Sequence, residues 1–256
     1  MRHCLLCRRT FGVIGLLLLS RFSWAMQDLV DIQAQLAHEP KVALQAVTLK
    51  LQALNDEALS INHEVWFAYK EVEITAQIKL GLLDEAKARA LMLYAQYDAD
   101  SFPIYRAKTA FLLAVANQST SNSEQSVAYL EEAKALVADK NEPELQADIL
   151  ANLVHAYRYK AEYDKALSYT TRALEIAFEL KSLSKQANFH NQIGVIYDYI
   201  GNVELALQHH ERSLRLQQQR GNQQGVSNSL YNIGEIYCGF ITLNKKASVT
   251  FLLLIL

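Results

Sequence analysis

Leu153, Ile193 and Ile233 stand 40 residues apart, as do Val154, Gly194 and Gly234, and again Tyr157, Tyr197 and Tyr237. Ala166 and Ala206 keep the same step. A period of this length marks stacked supersecondary units, each too small to bury its own apolar face. Within a unit, Leu153 and Tyr157 are four residues apart and share one face of a helix. A polar turn comes next, near Lys160 to Glu162 in one copy and at Gly201-Asn202 in the other. Ala166, Leu167, Ala173 and Leu174 then fall on one stripe of a second helix. Small residues (Gly194, Gly234, Ala166 and Ala206) allow two antiparallel helices to approach closely, with Tyr and Leu filling the space around the crossing. The expected fold class is all-α.

The rest of the chain suits that class. Of 256 residues, only 9 are Gly and 3 Pro, too few for a sheet protein with many tight turns. Upstream, helix pairs are expected at 27–55, with Pro40 opening the second helix, at 63–97, with Gly81-Leu82-Leu83 at the turn, and at 103–139. The joint of that last pair, Asn117 to Ser123, is long and polar. Downstream, the third copy departs from the pattern. Its crossing Ala should fall at 246, but Lys246 is there and Ala247 comes one late. Phe251 to Leu256 is wholly apolar where an amphipathic helix is expected, so 244–256 reads as an aberrant tail, a truncated or frame-shifted repeat. The organisation expected is a signal peptide over 1–25, degenerate hairpins over 26–145 and clear repeats over 146–243.

The first 25 residues carry a targeting pattern. Arg2, Arg8 and Arg9 precede an apolar run from Phe11 to Leu19, and Ser23-Trp24-Ala25 offers small residues for cleavage after Ala25. The run is too short to span a bilayer, which takes roughly 20 apolar residues. Arg21 beside the cut site leaves an uncleaved anchor open, and Arg8-Arg9-Thr10-Phe11 also resembles a twin-arginine signal. Cleavage would remove four arginines and no acids, leaving 21 basic against 27 acidic side chains. That balance argues against nucleic acid as a partner. Cys238 would be the one remaining cysteine, so no internal disulfide is expected. The expected location is the bacterial periplasm or the outside of the cell, with membrane contact only if the leader stays attached or the chain is a fragment of a membrane protein.

The residues Gly194, Tyr197, Gly201, Ala206 and Leu214 resemble the tetratricopeptide repeat, in a long-helix bacterial variety of 40 rather than about 34 residues. The resemblance implies a right-handed superhelical solenoid of antiparallel helix pairs. It also implies a non-catalytic scaffold that holds a protein or peptide segment in a concave groove. A leader followed by long repeats is similar to the periplasmic sensor region of signalling proteins with a GGDEF diguanylate cyclase or a histidine kinase as output, which is the alternative reading.

The groove should be lined by the first helix of each repeat. Asn152 and its equivalents Gln192 and Asn232 form a row of amides, and in tetratricopeptide proteins Asn at this position resembles a clamp on a peptide backbone. The same face should carry His155, Arg158 and Tyr159, then Asn191, Val195, Asp198 and Tyr199, then Asn228, Tyr231 and Glu235. The competing reading is that the amides only solvate the groove or tie neighbouring helices. Other candidates read blandly. His209-His210 reads as two solvated surface histidines, Glu131-Glu132 as helix-surface charge, and Tyr157, Tyr197 and Tyr237 as core. No phosphate loop, nucleophile elbow or His-Glu-x-x-His occurs, so neither catalysis nor cofactor nor metal is expected.

Overall fold

A computed structural model describes residues 27–56, 63–118 and 123–255. The leader and the middle of the polar joint at 117–123 lie outside the described residues. Among these, every regular element is a helix. They are α1 (27–38), α2 (Pro40–Asp56), α3 (His63–Lys79), α4 (Leu83–Gln96), α5 (Pro103–Gln118), α6 (Ser123–Leu136), α7 (Pro143–Tyr159), α8 (Tyr163–Glu179), α9 (Leu183–Tyr199), α10 (Val203–Gln219) and α11 (Gln223–Ile255). The expected pairs at 27–55, 63–97 and 103–139 are α1–α2, α3–α4 and α5–α6. Pro opens α2, α5 and α7, where its missing N–H costs no helical bond. The chain forms two compact units, 1–126 and 127–256.

In the first unit, Leu29, Ile32, Ala43, Val47, Leu51, Val65, Tyr69 and Val72 join α1, α2 and α3 in one apolar cluster. Phe67, Tyr97 and Tyr105 pack together beyond it, Phe67 edge-to-face on both tyrosines, with ring centroids 4.6 to 5.5 Å apart. The buried carboxylate of Glu73 is paired twice, with Arg89 at 2.9 Å and Lys70 at 3.1 Å. Two cations are what make such a burial tolerable.

The second unit is built on a 20-residue beat. From α7 to α10 each helix has 17 residues and each turn three, so two beats make the 40-residue period. The turns share one geometry. Gly201, at φ 79°, donates its N–H to Asp198 O at 3.0 Å, and Asn202 N–H donates to Tyr197 O at 2.8 Å. These two bonds close a helix by a residue in the left-handed region. Asn202 then opens the next helix, its Oδ1 accepting from Leu205 N–H at 3.2 Å. Ala161, Lys181 and Gly221 hold the same place at φ 57°, 52° and 66° with the same pair of backbone bonds. Ser182 and Asn222 repeat the N-cap.

The next beat falls on Ile241, a β-branched residue for which positive φ is costly. No turn forms there. α11 runs unbroken to Ile255, so the second helix expected around 246 is not a separate element.

Between α7, α8 and α9 the core is Ala147, Leu150, Ala173, Ile176, Ala177 and Phe189. Leu153 and Ile193 are both buried, as the 40-residue step requires, while Ile233 is half-buried. Tyr157 is buried, Tyr197 half-buried and Tyr237 exposed, so the expectation of a core Tyr at all three places holds fully only for the first. Glu131 is not a free surface charge. Its Oε1 accepts from the hydroxyls of Tyr157 at 2.9 Å and Tyr169 at 3.1 Å, and its Oε2 pairs with Lys134, which ties α6 to α7 and α8.

The shared turn geometry has a mutational consequence. Lys181→Gly and Ala161→Gly are each expected to stabilise the fold by about 0.5–1 kcal/mol, and Gly201→Ala to destabilise it by about 1 kcal/mol. Urea midpoints at constant slope check both signs.

Candidate functional site

The first helices of successive hairpins touch through their side chains. The Lys185 ammonium on α9 pairs with the Asp148 carboxylate on α7. Gln192 Nε2 lies 3.5 Å from His155 Nε2. The Arg158 guanidinium sits 5.8 Å from the centre of the Tyr199 ring and 5.5 Å from that of Tyr159. Asn232 Nδ2 on α11 donates to Asn191 Oδ1 on α9 at 2.9 Å. These bridges make the outward residues of α7, α9 and α11 one continuous face.

All the residues singled out from the sequence lie on those three helices. His155, Tyr159, Asp198, Tyr199, Asn228, Tyr231 and Glu235 are exposed, and Asn152, Arg158, Asn191, Gln192, Val195 and Asn232 are half-buried. Tyr159 at 86%, Tyr231 at 66% and Tyr199 at 61% are the aromatic surfaces it offers. Tyr163 of α8 stacks on Tyr199 with centroids 5.8 Å apart and planes 15° from parallel, a support of which sequence spacing gives no sign. The same holds for the Lys185–Asp148 pair.

The amides divide their work. Asn152 Nδ2 folds back to Asp148 O on its own helix at 2.8 Å. Asn191 is a joint, its Oδ1 accepting from Asn232 and from His210 Nδ1 at 3.1 Å, so it ties α9 to both α10 and α11. Gln192 is different. Its Oε1 is buried with no hydrogen-bond partner among the described residues. Turning the amide over would satisfy one pole and strand the other, so one buried polar atom of Gln192 stays unpaired.

The His209-His210 pair corrects the surface reading. The His210 ring is buried and lies flat against Gly194, where a Cβ would come within 2.8 Å of its Cε1 and Nε2. Glycine at 194 is therefore the seat of an imidazole. His209 points a different way and meets the buried His190, the two Nδ1 atoms 3.1 Å apart, one donating and the other accepting. Burial, then the nearby His209, Arg212 and Arg215, push the His190 pKa down to about 4. Burial and then His209 do the same to His210, also to about 4. His209 is lowered by burial and Arg212. Among the described residues no three His, Cys, Asp or Glu side chains are grouped to hold a metal ion. No helix there is long and apolar enough to cross a membrane.

Residues 149–184 match the tetratricopeptide repeat family. No curated protein sequence matches the chain. Solved structures do. BtubC from P. vanneervenii is 20% identical with a TM-score of 0.61, over 90% of this chain and 87% of that one. A thermophilic TPR protein from Thermus thermophilus is 17% identical with a TM-score of 0.58, over 82% of this chain and 98% of that one. A Rap protein in complex with competence and sporulation factor is 14% identical with a TM-score of 0.53, over 89% of this chain and 74% of that one. At these identities the likeness establishes the fold alone, that of tetratricopeptide-repeat proteins.

The histidines carry a pH dependence. Their depressed pKa values mean the unfolded chain takes up protons below 6.5 while the folded one does not until about 4. Stability is thus full above 6.5 and falls with acid, by about 1.4 kcal/mol per pH unit for each histidine held neutral. His190→Leu places at 190 the residue found 40 positions earlier, Leu150, and is expected to flatten this acid limb. Melting temperatures between about pH 7 and 4.5 for both proteins check it.

Proposed function

We propose that the face of α7, α9 and α11 binds a segment of another polypeptide, and that the protein works outside the bacterial cytoplasm after loss of its leader. The helical-repeat fold is of the protein-binding kind. The observation that carries the binding reading is the juxtaposition on one face of exposed Tyr159, Tyr199 and Tyr231 and the Arg158 charge. Tyr rings give flat contact area at low entropic cost, and an amide serves a peptide group as donor and acceptor without reading its side chain. Tyr163 behind Tyr199 and Asn232 across Asn191 hold this face in place before a ligand arrives, which limits the ordering entropy of binding. The Rap protein of like fold, seen with competence and sporulation factor, is a scaffold of the same build with a bound partner. The export part rests on Arg2, Arg8, Arg9 and the Phe11–Leu19 run alone.

The test is selection of linear peptides from a displayed random library against the full chain. Tyr159→Ala and Tyr199→Ala are each expected to weaken the selected peptides at least tenfold. Phe178→Ala, which removes an exposed ring on α8, should leave them unchanged. Selected peptides that bind all three variants alike would defeat the assignment.

A further inference from the structure

Two imidazoles meet across the α9–α10 crossing, and neither belongs to the face proposed for peptide binding. His190 on α9 is buried and His209 on α10 is half-buried. Their Nδ1 atoms are 3.1 Å apart, and their ring centroids 5.2 Å apart with planes at 49°. Among the described residues that contact is the one hydrogen bond either ring makes. Packing sets the arrangement. The Tyr197 ring lies 5.8 Å from that of His209. The next residue, His210, is seated over Gly194 and so fixes the stretch of α10 that carries His209.

A hydrogen bond is one use of such a pair, and coordination is another. Imidazole nitrogen binds first-row ions at about 2.0–2.1 Å, so two nitrogens at neighbouring positions of a tetrahedral or tetragonal ion stand roughly 2.8 to 3.4 Å apart. The separation of the two Nδ1 atoms falls inside that interval. Both rings are neutral at pH 7, because burial above all, then the nearby arginines, lowers their pKa values. Neither has to lose a net proton to become a ligand. The ring that now donates from Nδ1 carries its proton on Nε2 instead, the other neutral tautomer.

We infer that His190 and His209 form a two-imidazole site for a divalent transition ion of the zinc and copper class, completed by water on the half-buried His209 side. A donor set of nitrogen alone turns away Mg(II) and Ca(II), which take oxygen ligands. Arg212 and Arg215 repel a cation as they repel a proton, so affinity comes from the ligand atoms rather than from net charge. No third His, Cys, Asp or Glu is grouped with the pair among the described residues. The ion therefore keeps open positions and exchanges with solvent, unlike the closed sites that hold a fold together. While bound, it links α9 to α10 where a single hydrogen bond links them otherwise.

The probe is Zn(II), titrated into the full chain and followed by the ring-nitrogen NMR signals of the histidines, a readout that zinc bound elsewhere on the chain leaves in place. The Nδ1 signals of His190 and His209 are expected to move together and saturate together. His209→Gln should raise the zinc concentration that moves the His190 ring at least tenfold, and His190→Leu should do the same for the His209 ring. His38→Gln, which removes an exposed histidine of α1, should change neither response. Mg(II) should move neither ring. Two rings that stay unmoved up to millimolar zinc overturn the inference. So does a His190 response that survives His209→Gln unchanged, or an equal response to Mg(II).

Discussion

The second unit depends on a three-residue turn in which one residue ends a helix, the next begins another, and the backbone between them passes through the left-handed region. Two backbone bonds close the outgoing helix, and at Ser182, Asn202 and Asn222 a side-chain oxygen opens the incoming one. Because the turn has a fixed length and the helices a fixed 17 residues, equivalent side chains return every 40 residues to equivalent places. The packing of Leu153 and Ile193, the bridges from α7 to α9 to α11, and the face they line are consequences of that repetition. Where the left-handed place falls on Ile241, the repetition stops and α11 goes straight on.

Polar groups then set how the helices lock. Imidazoles occupy places that Leu and Val fill one repeat earlier. Leu150 becomes His190, and Val154 becomes Gly194 with His210 laid on it. A core built this way loses some apolar burial and gains direction, since Asn191 reaches only His210 and Asn232 in this register. The cost is sensitivity to protons, as three histidines must stay neutral where they sit. The outer face, by contrast, keeps the aromatic surfaces of Tyr159, Tyr199 and Tyr231 bare.

How much of this is legible in the residues alone varies with the physics. Period, helix pairing and turn positions are readable because Gly201, Ala206 and the recurring Tyr are strong local signals. The finer 20-residue beat is hidden, since Ala161 and Lys181 hold left-handed places that a sequence pattern assigns to Gly. Helical geometry alone places the residues from Asn152 to Glu235 on α7, α9 and α11. Their partners are not foreseeable, because Gln192 meeting His155 and Asn232 meeting Asn191 are decided by the approach of separate helices. The histidine pair misleads because neighbours on a helix point about 100° apart, which suggests water around both. Each instead finds its own seat, and the one available hint is Gly194, too small for its place unless something large lies on it. Tyr237 misleads for the opposite reason: its repeat position is interior only when a further helix covers it.

Backbone NMR of the full chain tests the shared-turn register most directly. Positive φ at residues 161, 181, 201 and 221, a helical φ at 241, and a nuclear Overhauser contact between the side-chain amides of Asn191 and Asn232 are the predicted results. Negative φ at two or more of those four turn residues, or the absence of any contact between α9 and α11, would contradict it.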